Sequence, residues 1–142
     1  MRSRAGLFAL LIGSSFAMCV GCSSERRAPV SAVSGKLMIA GKPAEGATIF
    51  FHPKGAEKSN TPHPMAVVQA DGTFTPTTYL SNDGAPPGEY LVTVRWTVKS
   101  TVEGEVIEGP DLLKERFSNR ANPAATVIIK EEETVIPPIE LN

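Results

Sequence analysis

Apolar and polar residues alternate along the segment "GEYLVTVRWTVK" at residues 88–99. The apolar positions of this segment are Tyr90, Val92, Val94, Trp96 and Val98. A period of two with one apolar face is typical of a half-buried antiparallel strand, because successive side chains of a strand point to opposite faces. The pattern predicts one continuous strand with the indole of Trp96 in the core.

Shorter apolar runs, separated by turn residues, predict further strands. Runs at 33–39 and 47–51 flank the turn "AGKPAEG", and "PMAVVQADGTFTPTTY" predicts a hairpin at Asp71-Gly72, a pair that supplies the positive φ angles of a tight turn. Pro76 has no amide hydrogen, so the second arm should be an edge or bulged strand. The segment "ATVIIKEEETVIPPIEL" predicts a last hairpin with Glu131 to Glu133 at its tip. About seven short strands predict an all-β chain folded as an antiparallel β-sandwich.

The segment 100–123 is longer than the usual connection between strands. Asp111 could cap a short helix at 111–117. Its docking face would consist of Leu112, Leu113 and Phe117. Three outcomes remain open, namely packing of this turn across the sandwich edge, contact of Phe117 or Arg116 with a ligand, and disorder. Phe117 and Arg116 are therefore the candidate ligand contacts.

The N-terminus has the parts of a secretory signal peptide. Arg2 and Arg4 precede an uncharged, largely apolar stretch at 5–20. A membrane-spanning helix needs about 20 apolar residues, and this stretch is shorter and interrupted by Gly13-Ser14-Ser15, so a permanent span is the weaker interpretation. The chain is predicted to be exported.

Both cysteines of the chain lie at the end of this stretch. A disulfide between Cys19 and Cys22 would be lost on cleavage of the signal, and a redox Cys-x-x-Cys motif is expected beside a βαβ pattern, which does not follow here. The sequence Cys19-Val20-Gly21-Cys22 resembles the lipobox of bacterial lipoproteins, with Cys19 where leucine is usual. The resemblance implies cleavage after residue 21 and attachment of palmitate-type acyl chains to Cys22. The alternative is an ordinary cleaved signal that leaves Cys22 as a free thiol.

The resemblance also implies an organisation and a location. Residues 1–21 would be the lipoprotein signal peptide, 22–32 the lipidated cysteine with a flexible tether, and 33–142 the folded domain. Two or three acyl chains anchor a protein stably where a single chain binds reversibly. Ser23 after the cysteine resembles the sorting pattern for the outer membrane, provided that the cell has two membranes. The tether would reach at most about 35 Å at ~3.3–3.6 Å per residue.

The order of motifs in the rest of the chain resembles a known family. The motifs are "VSGKLMIAGKPAEGATIFFHP", "ADGTFTPTTY", "NDGAPPGEYLVTV" and "LLKERFSNRANPAATVIIK". Together they are similar to small bacterial lipoproteins with a carboxypeptidase-regulatory-like, transthyretin-like domain. The resemblance implies a transthyretin-like (prealbumin-like) sandwich with Ig-like Greek key connections. Pro76 departs from the family pattern, which has an apolar strand residue there.

Composition and motif searches exclude several classes of function. The formal net charge is −1 and the only basic cluster is Arg26-Arg27, which argues against a nucleic-acid partner. The only histidines are His52 and His63, fewer than the three or four ligands of a usual metal site. His52 should face outward as a solvated side chain. No catalytic residue, metal or cofactor is predicted.

Two functions of different class follow. The first is a lipid-anchored, non-enzymatic module of the bacterial cell envelope, held in the membrane through Cys22 and binding an envelope protein or a polysaccharide. The alternative is a lipoprotein that binds a small carbohydrate-type ligand through the segment 100–123. An enzyme or a metal-binding protein fits the sequence less well, because no titratable group has an evident matched partner.

Overall fold

A computed structural model describes residues 27–55, 58 and 60–142. The predicted signal peptide and Cys22 therefore lie outside the described residues. All regular secondary structure within the described part is β. The strands are β1 Val33–Ile39, β2 Lys42–Pro43, β3 Thr48–Pro53, β4 Met65–Val67, β5 Thr73–Phe74, β6 Gly88–Arg95, β7 Thr97–Val102, β8 Glu105–Asp111, β9 Ala125–Ile129, β10 Thr134–Val135 and β11 Ile139–Leu141. The predicted all-β sandwich is confirmed.

Two sheets form the sandwich. The first has the antiparallel order β4-β3-β6-β9, and its central pair runs from Thr48 opposite Arg95 to Pro53 opposite Tyr90. The second is built around β1, in which Met38 pairs with Pro43 of β2 on one side and with Glu140 of β11 on the other. Strand β5 also pairs with β1 in antiparallel orientation, whereas β10 and β11 run parallel to it.

The core lies between the two sheets because alternate residues of each strand point inward. In β3 the inward residues are Ile49 and Phe51, and both are fully buried. The Phe51 ring lies 6.3 Å from the ring of Phe74 and 6.2 Å from that of Tyr90, measured between centroids. Burial raises the pKa of Tyr90, whose hydroxyl donates to the Pro86 carbonyl. These contacts remove large aromatic surfaces from water, and each Å² of buried apolar surface stabilises the fold by roughly 25 cal/mol.

Both predicted hairpins connect the two sheets. The arms of the first still meet, because Met65 and Thr77 form an antiparallel bridge with two backbone hydrogen bonds of 3.1 and 2.8 Å. The turn at Asp71-Gly72 is confirmed, with Gly72 at φ 85°, but the strands on either side belong to different sheets. At the C-terminus the hairpin prediction is wrong, since β9 pairs with β6 while β10 and β11 pair with β1. This crossing places Ile136 in the core beside the inward residues of β11.

The strand predicted over 88–99 is right as far as Arg95 and wrong beyond it. β3 begins at Thr48 opposite Arg95, so the sheet offers no partner further along. The Trp96 backbone N–H instead donates to Asp111 Oδ1 at 2.9 Å. Trp96 is consequently half-buried rather than fully buried, and its indole N–H donates to the Glu45 carbonyl. Val98 is exposed in a two-stranded ribbon formed by β7 and β8.

The short helix considered at 111–117 is absent, and the chain forms successive turns there. Lys114 and Glu115 have φ angles of 53° and 58°, which a right-handed helix does not accept. Asp111 nevertheless caps the turns, accepting from the N–H groups of Leu113 at 3.2 Å and Glu115 at 3.0 Å. Of the expected docking face, Leu113 is buried and Phe117 is half-buried, but Leu112 is exposed.

Candidate functional site

The outward side of the four-stranded sheet, called here the outer sheet face, carries an unusual number of apolar side chains. Such faces normally carry polar residues at alternate positions. Here Ile128 of β9 is 67% exposed, and Met65 and Val67 of β4 are also exposed. Phe50 of β3 lies beside Met65 in register, and it is only partly covered. The outer sheet face therefore leaves apolar surface open to solvent.

A shallow groove of ≈ 280 Å³ lies on this face. It is lined by Phe50, His52, Thr93, Val94, Arg95 and Ser118. Strands β3 and β6 form its floor because Phe50 and Thr93 are cross-strand neighbours. The volume lies just below the range of about 300–1,000 Å³ for small-molecule pockets, so it fits one ring or one side chain of a larger partner.

One wall of the groove comes from the turns that follow β8. The N–H of Val94 donates to the Phe117 carbonyl at 2.9 Å, which fixes these turns against β6. The adjacent Ser118 hydroxyl donates to the Glu115 carbonyl at 2.9 Å. The segment 100–123 therefore contributes to the groove through Ser118.

The two candidate contacts Phe117 and Arg116 lie next to the groove but do not line it. The guanidinium carbon of Arg116 is 5.1 Å from the centre of the Phe117 ring, a cation–π distance. The Phe117 side chain packs against the core. The structure thus uses Phe117 to hold the groove wall.

His52 faces outward as predicted, but it is half-buried and not merely solvated. Its Nε2 lies 2.8 Å from the Thr93 hydroxyl, with which it forms a hydrogen bond. Its ring stacks on Phe50 with centroids 6.5 Å apart and meets His63 edge-on at 6.3 Å. The structure therefore brings together the two histidines that the sequence separates by ten residues.

The surroundings of this histidine pair do not resemble a metal centre. In the described part of the chain, no three side chains of His, Cys, Asp or Glu lie close enough to hold a metal ion. The groove instead combines the aromatic ring of Phe50 with the guanidinium of Arg95, while the Thr93 and Ser118 hydroxyls are hydrogen-bonded within the protein, to His52 and to the Glu115 carbonyl. These groups suit a partner that presents a flat apolar surface and hydrogen-bond acceptors.

Sequence reasoning did not single out Thr93, Arg95 or Ser118. Phe50 carries a weak signal, since it is an aromatic residue at an outward position of the strand predicted at 47–51. The pairing of β3 with β6 gathers these side chains, and that register is a long-range property of the fold. Among the residues that line the groove, Phe50 and His52 therefore carry a local signal.

A larger groove of ≈ 380 Å³ lies along the sandwich edge between β9 and β10. Its lining includes Lys130 and Glu133 and contains no aromatic side chain and no histidine. It follows from the separation of two strand edges rather than from converging functional groups. The groove on the outer sheet face is the better candidate site.

Within the described residues, no helix is long and apolar enough to cross a membrane.

Comparisons with known proteins give structural neighbours but no family. No family model matches the chain, and no curated protein matches it. A DUF3823 family protein from Parabacteroides merdae has a TM-score of 0.44 and 21% identity to this chain. The match covers 82% of this chain and 47% of that protein, so this chain spans about half of that protein's length. A Pseudomonas aeruginosa protein provisionally named as carbohydrate binding has a TM-score of 0.39 and 11% identity, covering 79% of this chain and 90% of that one. A 9R-lipoxygenase from Cyanothece has a TM-score of 0.41 and 12% identity, and the match covers 84% of this chain and 18% of the lipoxygenase chain.

Proposed function

We propose that this protein is a lipid-anchored, non-enzymatic binding module of the bacterial cell envelope, and that it binds its partner through the outer sheet face. The observation that carries the proposal is the exposed apolar surface at the groove, where the cross-strand neighbours Phe50 and Met65 stand at outward positions that are normally polar. Contiguous apolar patches on a soluble domain are typical of interaction sites. The partner is an envelope protein or a polysaccharide.

The anchor is supported by the lipobox-like sequence that ends at Cys22. Acyl chains on Cys22 would hold the domain at the membrane, at the outer membrane in a two-membrane cell. Mass spectrometry of the membrane fraction should find a chain that begins at Cys22 and carries added acyl mass. Cys22→Ser should release the protein from membranes. A mature protein that keeps Met1 would contradict the anchor.

The geometry at His52 supports a binding role over a hydrolytic one. A hydroxyl 2.8 Å from an imidazole nitrogen has the spacing of a nucleophile and its base. Thr93, however, is only 2% exposed, so its hydroxyl is covered by neighbouring side chains. A substrate carbon could not approach it without displacing the groove lining. The hydrogen bond instead fixes the imidazole beside the Phe50 ring.

A binding experiment tests the site directly. The mature protein is immobilised and exposed to envelope extract from its own cell. Any captured protein is identified, and its affinity for the mature protein is then measured with the two purified proteins. Phe50→Ala combined with Arg95→Ala should weaken that pairwise binding at least about tenfold, as expected for an aromatic and an arginine at the centre of an interface. The control is Val135→Ala, because Val135 is apolar and exposed but lies on β10, in the other sheet. Equal binding by the two variants would rule out the outer sheet face.

A small carbohydrate-type ligand is the second candidate. The groove volume and the ring of Phe50 favour it, since sugar rings stack on aromatic faces and donate to nearby acceptors. Titration with soluble cell-wall and polysaccharide fragments separates the two candidates. Saturable binding of an oligosaccharide that Phe50→Ala abolishes would favour the small ligand, and binding of polymer or protein alone would favour the first candidate.

A further inference from the structure

The chain enters the sandwich at one end and is fastened there by backbone and side-chain contacts. Ser31 and Ala85 exchange two backbone hydrogen bonds of 2.9 and 3.1 Å. Before that point, the N–H of Ala28 donates to the Tyr79 hydroxyl at 3.1 Å. The guanidinium carbon of Arg27 also lies 5.3 Å from the centre of the Tyr79 ring. Contacts with the domain therefore begin before residue 33.

These contacts shorten the connection between the domain and a lipid on Cys22. Six residue steps separate Cys22 from Ala28, and at ~3.3–3.6 Å per step they span at most about 20 Å. If only the Ser31–Ala85 contact holds, the connection runs from Cys22 to Ser31, and its nine residue steps span at most about 30 Å. The end of the sandwich that contains Ala85 is therefore kept close to the bilayer. This step rests on the proposed lipidation of Cys22.

An exposed leucine projects from this same end. Leu80 is 70% exposed, and it is adjacent in sequence to Tyr79. The Asp83 carboxylate fixes the turn by accepting from the N–H groups of Thr78 at 2.7 Å, Tyr79 at 3.0 Å and Leu80 at 2.9 Å. The turn thus holds one apolar side chain out in solvent beside an amphipathic aromatic ring. Leucine and tyrosine are among the residues that favour the membrane interface.

We propose that the anchored domain rests with this end against the lipid bilayer, and that Leu80 inserts into the boundary between headgroups and acyl chains. One leucine binds a bilayer too weakly to hold a free protein. A short covalent connection makes the contact intramolecular, and the high effective concentration then favours it. The partner of this end is the bilayer because the connecting chain is too short to move the end away from the membrane surface.

The charges at this end determine which lipids suit it. Arg27 and Lys130 are basic and Arg26 precedes them on the connecting chain, whereas Asp83 and the three glutamates 131–133 are acidic, so the acidic groups exceed the basic ones by one. Ser31 Oγ donates to the Glu131 carbonyl at 2.9 Å, which places the glutamates beside the entry point. Lipids with a net negative charge would repel them. The surface that fits is a leaflet of zwitterionic headgroups.

The orientation has a consequence for the other end of the sandwich. Strand β6 runs from Gly88 near the entry end to Arg95, and eight residues of strand span about 25 Å. Trp96 and the β7–β8 ribbon follow directly and therefore point away from the bilayer. The single tryptophan of the chain is thus a natural reporter of the far end.

Quenching of tryptophan fluorescence by brominated phosphatidylcholine tests the proposal. The mature chain from Cys22, which keeps every described residue, is attached to vesicles in two ways, by its native acyl chains or by coupling the Cys22 thiol to a maleimide lipid. Leu80→Trp adds a reporter at the entry end, and Ile107→Trp adds a matched one at an exposed apolar position of the ribbon. The emission added by Leu80→Trp should fall about twofold, since an interfacial residue lies ~5–10 Å deep. Wild type and Ile107→Trp should keep their emission.

The results separate this inference from the anchor on which it rests. Absence of quenching at position 80 in maleimide-coupled protein overturns the bilayer contact, and equal quenching at positions 80, 96 and 107 overturns the orientation. If the native protein carries no acyl mass, the proposed anchor fails, while the coupled protein still reports whether this end contacts lipid. Replacing a third of the lipid by an anionic one should reduce quenching at position 80.

Discussion

Gly35 lies directly beneath the aromatic ring of Phe74. A Cβ atom placed on Gly35 would be 2.3 Å from Cζ of that ring, well inside van der Waals contact. The two residues are cross-strand partners of β1 and β5, and Phe74 continues the contact to Phe51 in the opposite sheet. The missing side chain at residue 35 lets one ring reach the centre of the sandwich.

Gly35→Ala should destabilise the fold by about 1–3 kcal/mol, because an added methyl group must displace a fully buried ring. Chemical denaturation monitored by circular dichroism measures the change. Lys36→Ala is the matched control, since Lys36 is an exposed neighbour on the same strand. In a Phe74→Leu background the cost of Gly35→Ala should shrink, and an undiminished cost there would show that the clash is elsewhere.

Gly84→Ala should loosen the entry point of the chain. The added Cβ would be 1.9 Å from the Ser31 carbonyl oxygen, and Gly84 also has a φ of +94°. Gly104→Ala is the control, because Gly104 has a φ of +87° but no atom within 4 Å of an added Cβ. The Gly84 variant should lose about 1–3 kcal/mol more than the control.

Limited proteolysis supplies a local measurement for the same pair of variants. Cleavage between residues 27 and 32 should be faster in Gly84→Ala than in the wild type and in Gly104→Ala. Equal cleavage rates in all three proteins would mean that Ser31 does not depend on the close approach of Gly84. The lipid-attached Gly84 variant should also show weaker quenching from position 80, since its connection to Cys22 is effectively longer.

The free energy of unfolding should fall at acid pH as the Asp83 carboxylate becomes protonated. Burial acts to raise the pKa of this carboxyl, but the backbone N–H groups of Thr78, Leu80 and Tyr79 outweigh it, and the pKa lies below the ordinary value of 3.8. The folded state thus binds the proton less tightly than the unfolded state, so the stabilisation is complete above the unfolded pKa and is lost as pH falls through the folded one. Urea denaturation between about pH 2 and pH 6 should show this decline.

Asp83→Asn should be less stable at neutral pH and should show a flatter acid limb. Asp71, whose pKa is lowered first by the Thr73 hydroxyl and then by the Thr73 N–H, titrates in the same direction. The decline should therefore be reduced in Asp83→Asn and reduced further in the double variant with Asp71→Asn. An unchanged pH profile in Asp83→Asn would contradict the assignment.

Asp111→Ala should release the root of the β7–β8 ribbon. Asp111 accepts hydrogen bonds from the backbone N–H groups of Trp96, Leu113 and Glu115, so its removal leaves three donors without this acceptor. We expect a loss of about 1–3 kcal/mol and a red shift of Trp96 emission as the indole becomes more exposed. Glu108→Ala is the control, because its ion pair with Lys99 is long, at 3.8 Å, and exposed. Equal effects of the two variants would contradict the structural role of Asp111.

The strands that bury one face were predictable because their alternate residues are apolar, which gives the sequence a period of two. β1, β3, β6 and β9 each alternate between core and exterior. The turn at Asp71-Gly72 was predictable for a local reason as well, since a positive φ demands a residue such as glycine. Both signals lie within a few adjacent positions.

Other features depend on partners that are distant in sequence. The β7–β8 ribbon has no consistent apolar face, because most of its residues are exposed on both sides, and so 100–123 reads as irregular. Nothing local to Ile139 shows that its partner is Leu37 rather than a strand of its own hairpin. The groove at Phe50 needs the register of β3 against β6, which the alternation of either strand leaves undetermined.

The parallel pairing of β1 with β11 sets the order of events during synthesis. β1 is among the first parts of the domain to leave the ribosome, and its partner at Ile139–Leu141 is among the last. The second sheet therefore cannot close until nearly the whole chain is available, and such long-range closure is slow. The same strand pair that completes the folded domain therefore also postpones its completion until the last strand of the domain has been synthesised.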